Sequence, residues 1–212
     1  MAGGWSALER SLRQAGSRHI AGVDEVGRGP LAGPVVVCAI VMPPDRRAIA
    51  GVTDSKQLDA PSRERLAARI RDEAVAIALA AASVREIARW NVYQANARAM
   101  ARALARLGAR LGAAPDEVLV DGKPIATLAV PHRAIVKGDA KCYSIACASI
   151  VAKVVRDDLM RRLAMRHPAY GWESNAGYGT PAHLDGLRAS GLTAHHRVCF
   201  CRTALGGQLV LA

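Results

Sequence analysis

Residues 19–42 read HIAGVDEVGRGPLAGPVVVCAIVM, and the architecture follows from how this stretch divides. His19–Glu25 is an apolar run closing on two acids, the pattern of a strand that leads into a glycine-rich turn. Val35–Met42 is almost wholly apolar and rich in β-branched residues, which predicts a strand buried on both faces. GRGPLAGP between them is a turn or short connector, since glycine and proline punctuate regular structure. A dinucleotide-binding glycine loop would have to open a helix. Here Pro30 and a following strand set that reading aside.

Working outward, Pro61–Asp72 predicts a helix with Asp59 or Ser62 as its cap, and Ala74–Val84 a third strand. A long helix is expected over Arg85–Leu111, because Tyr93, Ala97, Met100, Leu104, Leu107 and Leu111 recur at three- and four-residue intervals as an inward stripe. Glu117–Asp121 and Arg133–Val136 are short strands. A last long helix spans roughly Cys142–Arg166, with Ile145, Ala148, Ala152, Val155, Leu159 and Leu163 on one face. Its outer side offers the i, i+4 pairs Asp157–Arg161 and Asp158–Arg162. Early strands followed by alternating helices and strands specify an α/β mixed sheet flanked by helices. No repeat and no long linker interrupts the chain, so residues 1–212 are expected to form a single domain.

The chain has 212 residues, 51% of them apolar, and a formal charge of +11. That length can bury a core without metals or disulfides, and the composition excludes collagen, coiled coil and wholesale disorder. The basic balance points to a polyanionic partner. Arg63–Arg110 and Arg133–Arg202 each carry a net +6. No secretory signal is readable in Met1–Ile20, no apolar run reaches the ~18 residues of a membrane span, and five cysteines at irregular spacing read as reduced thiols. A cytoplasmic protein with no membrane partner is expected.

The most informative residues are acids placed where a core should be. Asp24 and Glu25 follow Ile20–Val23, Asp121 ends VLVD, and Asp139 follows Ile135–Gly138. Carboxylates gathered at strand ends repel one another and resist desolvation, so they need cations. Oxygen-only ligands suit Mg²⁺ or Mn²⁺ rather than Zn²⁺, and two such ions about 4 Å apart can cleave a phosphodiester. Adjacent strand residues point to opposite faces. Asp24 and Glu25 are therefore expected to share a site only if the strand ends there, as Gly27 and Gly29 suggest.

With these residues in view, the sequence resembles ribonuclease HII. The matching stretches are AGVDEVGRGPLAGPVV (21–36), TDSKQL (53–58), WNVYQANARAM (90–100), VDGKP (120–124), VKGDAKCYSIACASIVAKVVRDDLM (136–160), HPAYGWESNAGYGTPAHL (167–184) and HHR (195–197). The resemblance implies a ribonuclease H-like fold with a mixed five-stranded sheet at about 17–166 and a C-terminal helical portion, about 167–205, carrying Tyr178. It implies an endonuclease that cuts RNA in RNA–DNA hybrids and cuts 5′ of ribonucleotides embedded in DNA, leaving 3′-hydroxyl and 5′-phosphate. The family's metal ligands fall on Asp24, Glu25, Asp121 and Asp139, and its Gly-Arg-Gly element on Gly27, Arg28 and Gly29. Glycines there let backbone approach a sugar closely and read the 2′-hydroxyl that separates RNA from DNA. Tyr178 matches the family tyrosine that packs on the following deoxyribose. A monomer is implied.

The sequence departs from the family in three places. Cys147 replaces a usual small alanine, HHRVCF stands in a more usual HRRSF-like run and leaves any role of Arg197 open, and ALGGQLVLA at 204–212 lacks a clamp-binding peptide's paired aromatics. The short segment before the first strand argues against ribonuclease HIII.

Ser149, Lys153 and Arg156 lie at i, i+4, i+7 as a polar stripe expected to contact phosphate, and Lys56 is either a loop lysine or a phosphate ligand. Arg98, Arg102, Arg106 and Arg110 read as a solvated face rather than a DNA track. His195, His196, Cys199 and Cys201 are too crowded for a tetrahedral zinc site. Another metal-dependent nuclease or integrase-type enzyme on the same fold, or a non-catalytic nucleic-acid-binding module, remains as an alternative.

Overall fold

The computed structural model describes residues 5–206. Five strands form one mixed sheet in the order β3-β2-β1-β4-β5. They are β1 (Ile20–Val26), β2 (Val35–Val41), β3 (Ala76–Ala82), β4 (Glu117–Asp121) and β5 (Arg133–Ile135). β1 pairs antiparallel with β2, and β2 with β3, whereas β4 lies parallel to β1 and β5 parallel to β4.

All seven residues of β2 are buried, as expected of a strand covered on both faces. On one face α3 (Val84–Leu111) packs against Val23, Val37 and Val120. On the other, α5 (Tyr143–Arg166) and α2 (Ala60–Glu73) cover Cys38 and Ile40. Contact between α5 and β1 is close enough that a Cβ at Gly22 would collide with the Ser144 backbone. A further apolar cluster joins Leu31 and Ala32 to the end of α5 and to Tyr170, Trp172 and Leu187. Around it lie α6 (Trp172–Asn175), α7 (Pro181–Ser190) and α8 (Val198–Ala204). No described helix is long and apolar enough to cross a membrane.

Several elements differ from the sequence expectations. α3 is broken at Asn91 (φ 61°, ψ 167°), whose side chain accepts from the N–H groups of Tyr93 and Gln94 and so caps the second segment. Tyr93 is consequently exposed instead of inward. Tyr143–Ala152, the first ten residues of α5, are buried all round and not on one face, because the sheet, α2 and the N-terminal segment enclose them. Asp157 pairs with Lys153 at 2.8 Å and not with Arg161, which reaches across to Glu64 on α2; Asp158–Arg162 forms at 2.6 Å. Arg102 and Arg106 are more than a solvated face. They donate to Ala81 O and Leu79 O on the outer edge of β3, satisfying carbonyls that an open sheet edge would present to another chain.

A helix that the pattern reading did not anticipate, α1 (Ala7–Gln14), precedes the sheet. It begins at a capping box formed by Ser6 and Glu9. Glu9 is fully buried and accepts from Tyr143 N, Ser144 N and Ser144 Oγ at 2.7–3.0 Å. A carboxylate there satisfies free N–H groups at the start of α5 and faces the positive end of its dipole. The 204–212 segment, judged for a clamp peptide, lies mostly outside the described residues.

Candidate active site

Register brings the first two acids together. Val23 of β1 sits opposite Val120 of β4 in a parallel pair, so Asp24 and Asp121 are level, on the α5 side of the sheet. β1 does not end at the acids. Asp24 and Glu25 pair with Cys38 and Val37, and the ladder runs on through Val26. Their side chains therefore take opposite faces: Asp24 turns toward Ser149 on α5 and Glu25 toward Asn96 on α3. The charge of Glu25 nonetheless raises the Asp24 pKa, and that of Asp121 raises both.

Asp139 arrives on α4 (Gly138–Lys141), a single turn entered through Lys137 in a left-handed conformation. The Asp121 carboxylate accepts from Gly138 N at 2.6 Å, tying the turn to the end of β4. Asp139 in turn holds the exposed Lys56 ammonium at 3.1 Å. Burial works against the Lys56 charge, but the hydrogen bond and charge of Asp139 outweigh it and raise its pKa. Burial, then the charge of Glu25, pushes the Asp24 carboxyl well above the usual carboxylate range, against the Ser149 hydroxyl, which favours the ionised form. Burial also raises Glu25, while Arg28, 3.2 Å away, opposes the shift.

The donor set suits a hard divalent cation: four carboxylates, with no thiolate or imidazole among them. Glu25 Oε2 is buried without a hydrogen-bond partner, the kind of atom a cation satisfies. Among the described residues, however, no three acidic, histidine or cysteine side chains stand together as a closed metal cage. Asp121, Asp139 and Glu25 are each turned onto an N–H group or a cation of the chain instead.

The other predicted residues divide by location. Gly27, Arg28 and Gly29 follow β1 directly, with Arg28 and Gly29 exposed. A Cβ on Gly29 would lie 3.7 Å from Tyr178 Cε1, so the turn and the 47% exposed tyrosine are neighbours although 149 positions apart in the chain. Ser149 is buried against Ser55, Oγ to Oγ 3.0 Å, in the segment that also carries Lys56. Lys153 is partly exposed one turn along α5. Arg156 leaves the expected phosphate stripe altogether, being wholly buried. Glu9 and Asn96 were not singled out in the sequence; the S-x-x-E spacing of Ser6 and Glu9 is a signal that could have found the first.

This arrangement matches known proteins closely. A family model for ribonuclease HII matches residues 21–203. The chain belongs to the ribonuclease HII family. Ribonuclease HII of Granulibacter bethesdensis is 52% identical over 196 residues, covering 91% of this chain and 87% of the relative. That of Thermosynechococcus vestitus is 50% identical over 202 residues, covering 94% and 92%. The crystal structure of ribonuclease H2 from Pyrococcus horikoshii OT3 superposes with a TM-score of 0.73 at 27% identity, over 87% of this chain and 96% of that one. The five-stranded sheet is thus a ribonuclease H-like fold, and the chain is an endoribonuclease.

Proposed function

We propose that the chain cuts the RNA strand of RNA–DNA hybrids and cuts duplex DNA on the 5′ side of an embedded ribonucleotide, leaving 3′-hydroxyl and 5′-phosphate. The observation that carries the junction reading is the proximity of Gly29 to the exposed Tyr178 ring. A turn without Cβ atoms lets a sugar bearing a 2′-hydroxyl come close. A flat ring beside it favours a following sugar that lacks one.

Asp24, Glu25, Asp121 and Asp139 would hold two Mg²⁺ or Mn²⁺ ions. When bound, these ions supply positive charge at the attacked phosphate and acidify the attacking water. Asp24 is oriented for this by Glu25 N–H at 2.7 Å and by Ser149. Glu25 and Asp139 would hold the ions on release from Arg28 and Lys56, and those cations would then be available to substrate phosphates. Lys153 extends the same basic rim. A non-catalytic binding module has no use for a buried carboxylate crowded by two others. The same reading makes the protein a monomer in the cytoplasm.

The test is a DNA duplex containing one ribonucleotide, incubated with Mg²⁺ or Mn²⁺ and mapped at nucleotide resolution. Cutting on the 5′ side of the ribonucleotide is expected. Equal cutting of an all-DNA duplex, or none of either, overturns the proposal.

A further inference from the structure

Beneath the Gly-Arg-Gly turn lie two arginines, Arg156 and Arg197, at 0% and 1% exposure, and neither has a carboxylate partner among the described residues. Arg197 donates to Gly33 O (2.7 and 3.0 Å), Gly27 O (2.6 Å) and Arg28 O (2.8 Å). Arg156 donates to Pro34 O (3.0 Å), Ala32 O (3.1 Å) and Ala176 O (2.9 Å). Six carbonyls are thereby held by two rigid forks, five of them in the loop 27–34 and the sixth two residues before Tyr178. Burying a guanidinium without an anion is unfavourable. Both arginines are driven down in pKa by burial, Arg197 to about 10 with the charge of Arg156 adding to the effect.

Peptide planarity gives the arrangement a consequence. In a trans peptide the C=O and the following N–H point in opposite directions. With Gly27 O and Arg28 O drawn inward to Arg197, the N–H groups of Arg28 and Gly29 face away from it. Arg156 explains why residue 27 must be glycine. A Cβ there, at φ +95°, would run into the Arg156 guanidinium. A lysine at either arginine position retains the charge but presents its donors from a single point, so it cannot span these carbonyls.

We infer that Arg156 and Arg197 are positioning residues for ribonucleotide discrimination, setting the orientation of the 27–29 turn and its separation from Tyr178. The inference rests on the proposal that this turn and Tyr178 read the junction. The pair acts through backbone that meets the sugar and touches neither substrate nor metal.

The experiment is a double-mutant cycle of Arg197→Lys with Tyr178→Ala, read as the ratio of single-ribonucleotide to long-hybrid cleavage, with kcat and KM resolved for each substrate. Arg197→Lys is expected to lower that ratio about tenfold, chiefly through KM on the junction substrate, because small misplacements of a positioning contact have large effects. In the Tyr178→Ala background the same substitution should change the ratio little. Parallel losses on both substrates, or additive losses in the cycle, overturn the inference. Should Tyr178→Ala itself leave the junction preference intact, the fault lies in the reading of Tyr178 and the arginine assignment falls with it. A junction preference lost on Tyr178→Ala but untouched by Arg197→Lys overturns the arginine assignment alone. If Arg197→Lys does not fold, Arg156→Lys enters the same cycle. Failure of both lysine variants to melt cooperatively also overturns the inference, because the pair would then serve the fold itself.

Discussion

His183 and His196 meet Nε2 to Nε2 at 3.1 Å inside the C-terminal cluster. Their neighbours assign the protons. Thr193 N–H donates to His196 Nδ1, so His196 carries its hydrogen on Nε2 and donates to His183. His183 Nε2 also accepts from Trp172 Nε1, leaving its Nδ1–H to donate to Tyr178 O at 2.9 Å. Both rings are therefore neutral, and the chain of bonds ends on the backbone of the exposed tyrosine.

This predicts a pH dependence. Burial lowers the pKa of both histidines, His196 to about 3. The unfolded chain takes up protons below about pH 6.5 that the folded chain refuses. The contribution to stability is complete above that pH and is lost progressively as pH falls toward 3. The melting temperature should decline from pH 7 to pH 5, and His196→Gln should flatten that slope. A slope unchanged by the substitution would contradict the assignment.

Glu9→Ala should destabilise the protein by about 2 kcal/mol, the upper range for loss of a helix cap, since it strands Tyr143 N–H and Ser144 N–H at the start of α5. Urea melts measure this. Gln at position 9 retains an acceptor and should restore part of the loss.

Gly22→Ala should be more damaging than its single methyl suggests. The new Cβ meets the Ser144 backbone, so α5 must move off β1. Overpacking of this kind costs about 1–3 kcal/mol and sometimes more. Loss of cleavage should accompany it, because the shift separates Ser149 from Asp24. A variant as stable and active as the parent would show that α5 yields without consequence.

Asp24→Asn should abolish cleavage yet raise the melting temperature in chelator, because it removes a buried carboxyl whose ionisation burial, Glu25 and Asp121 all oppose, a trade common at active sites. Added Mn²⁺ should raise the melting temperature of the parent and that of the variant much less. A lower melting temperature for the variant in chelator would show that Asp24 supports the fold as a carboxylate.

How much of this was legible in the chain depended on how local the cause was. β2 was readable because an apolar β-branched run needs no partner to be recognised. The break at Asn91 was not, because its left-handed turn interrupts an otherwise continuous helical period. Arg156 lay in a polar stripe by spacing alone, and only the enclosure of α5 turned it inward.

The sequence by itself determined the order of the five strands and of the three long helices α2, α3 and α5, and the presence of four acids in apolar settings, since these follow from short-range periodicity and composition. Tertiary structure alone decided that Asp24 and Glu25 approach the site from opposite faces of a continuing strand. It also decided that Glu9 caps a helix beginning 134 residues away, and that two buried arginines hold the turn beside Tyr178. Those relationships depend on register and close approach between distant segments, which no local pattern encodes.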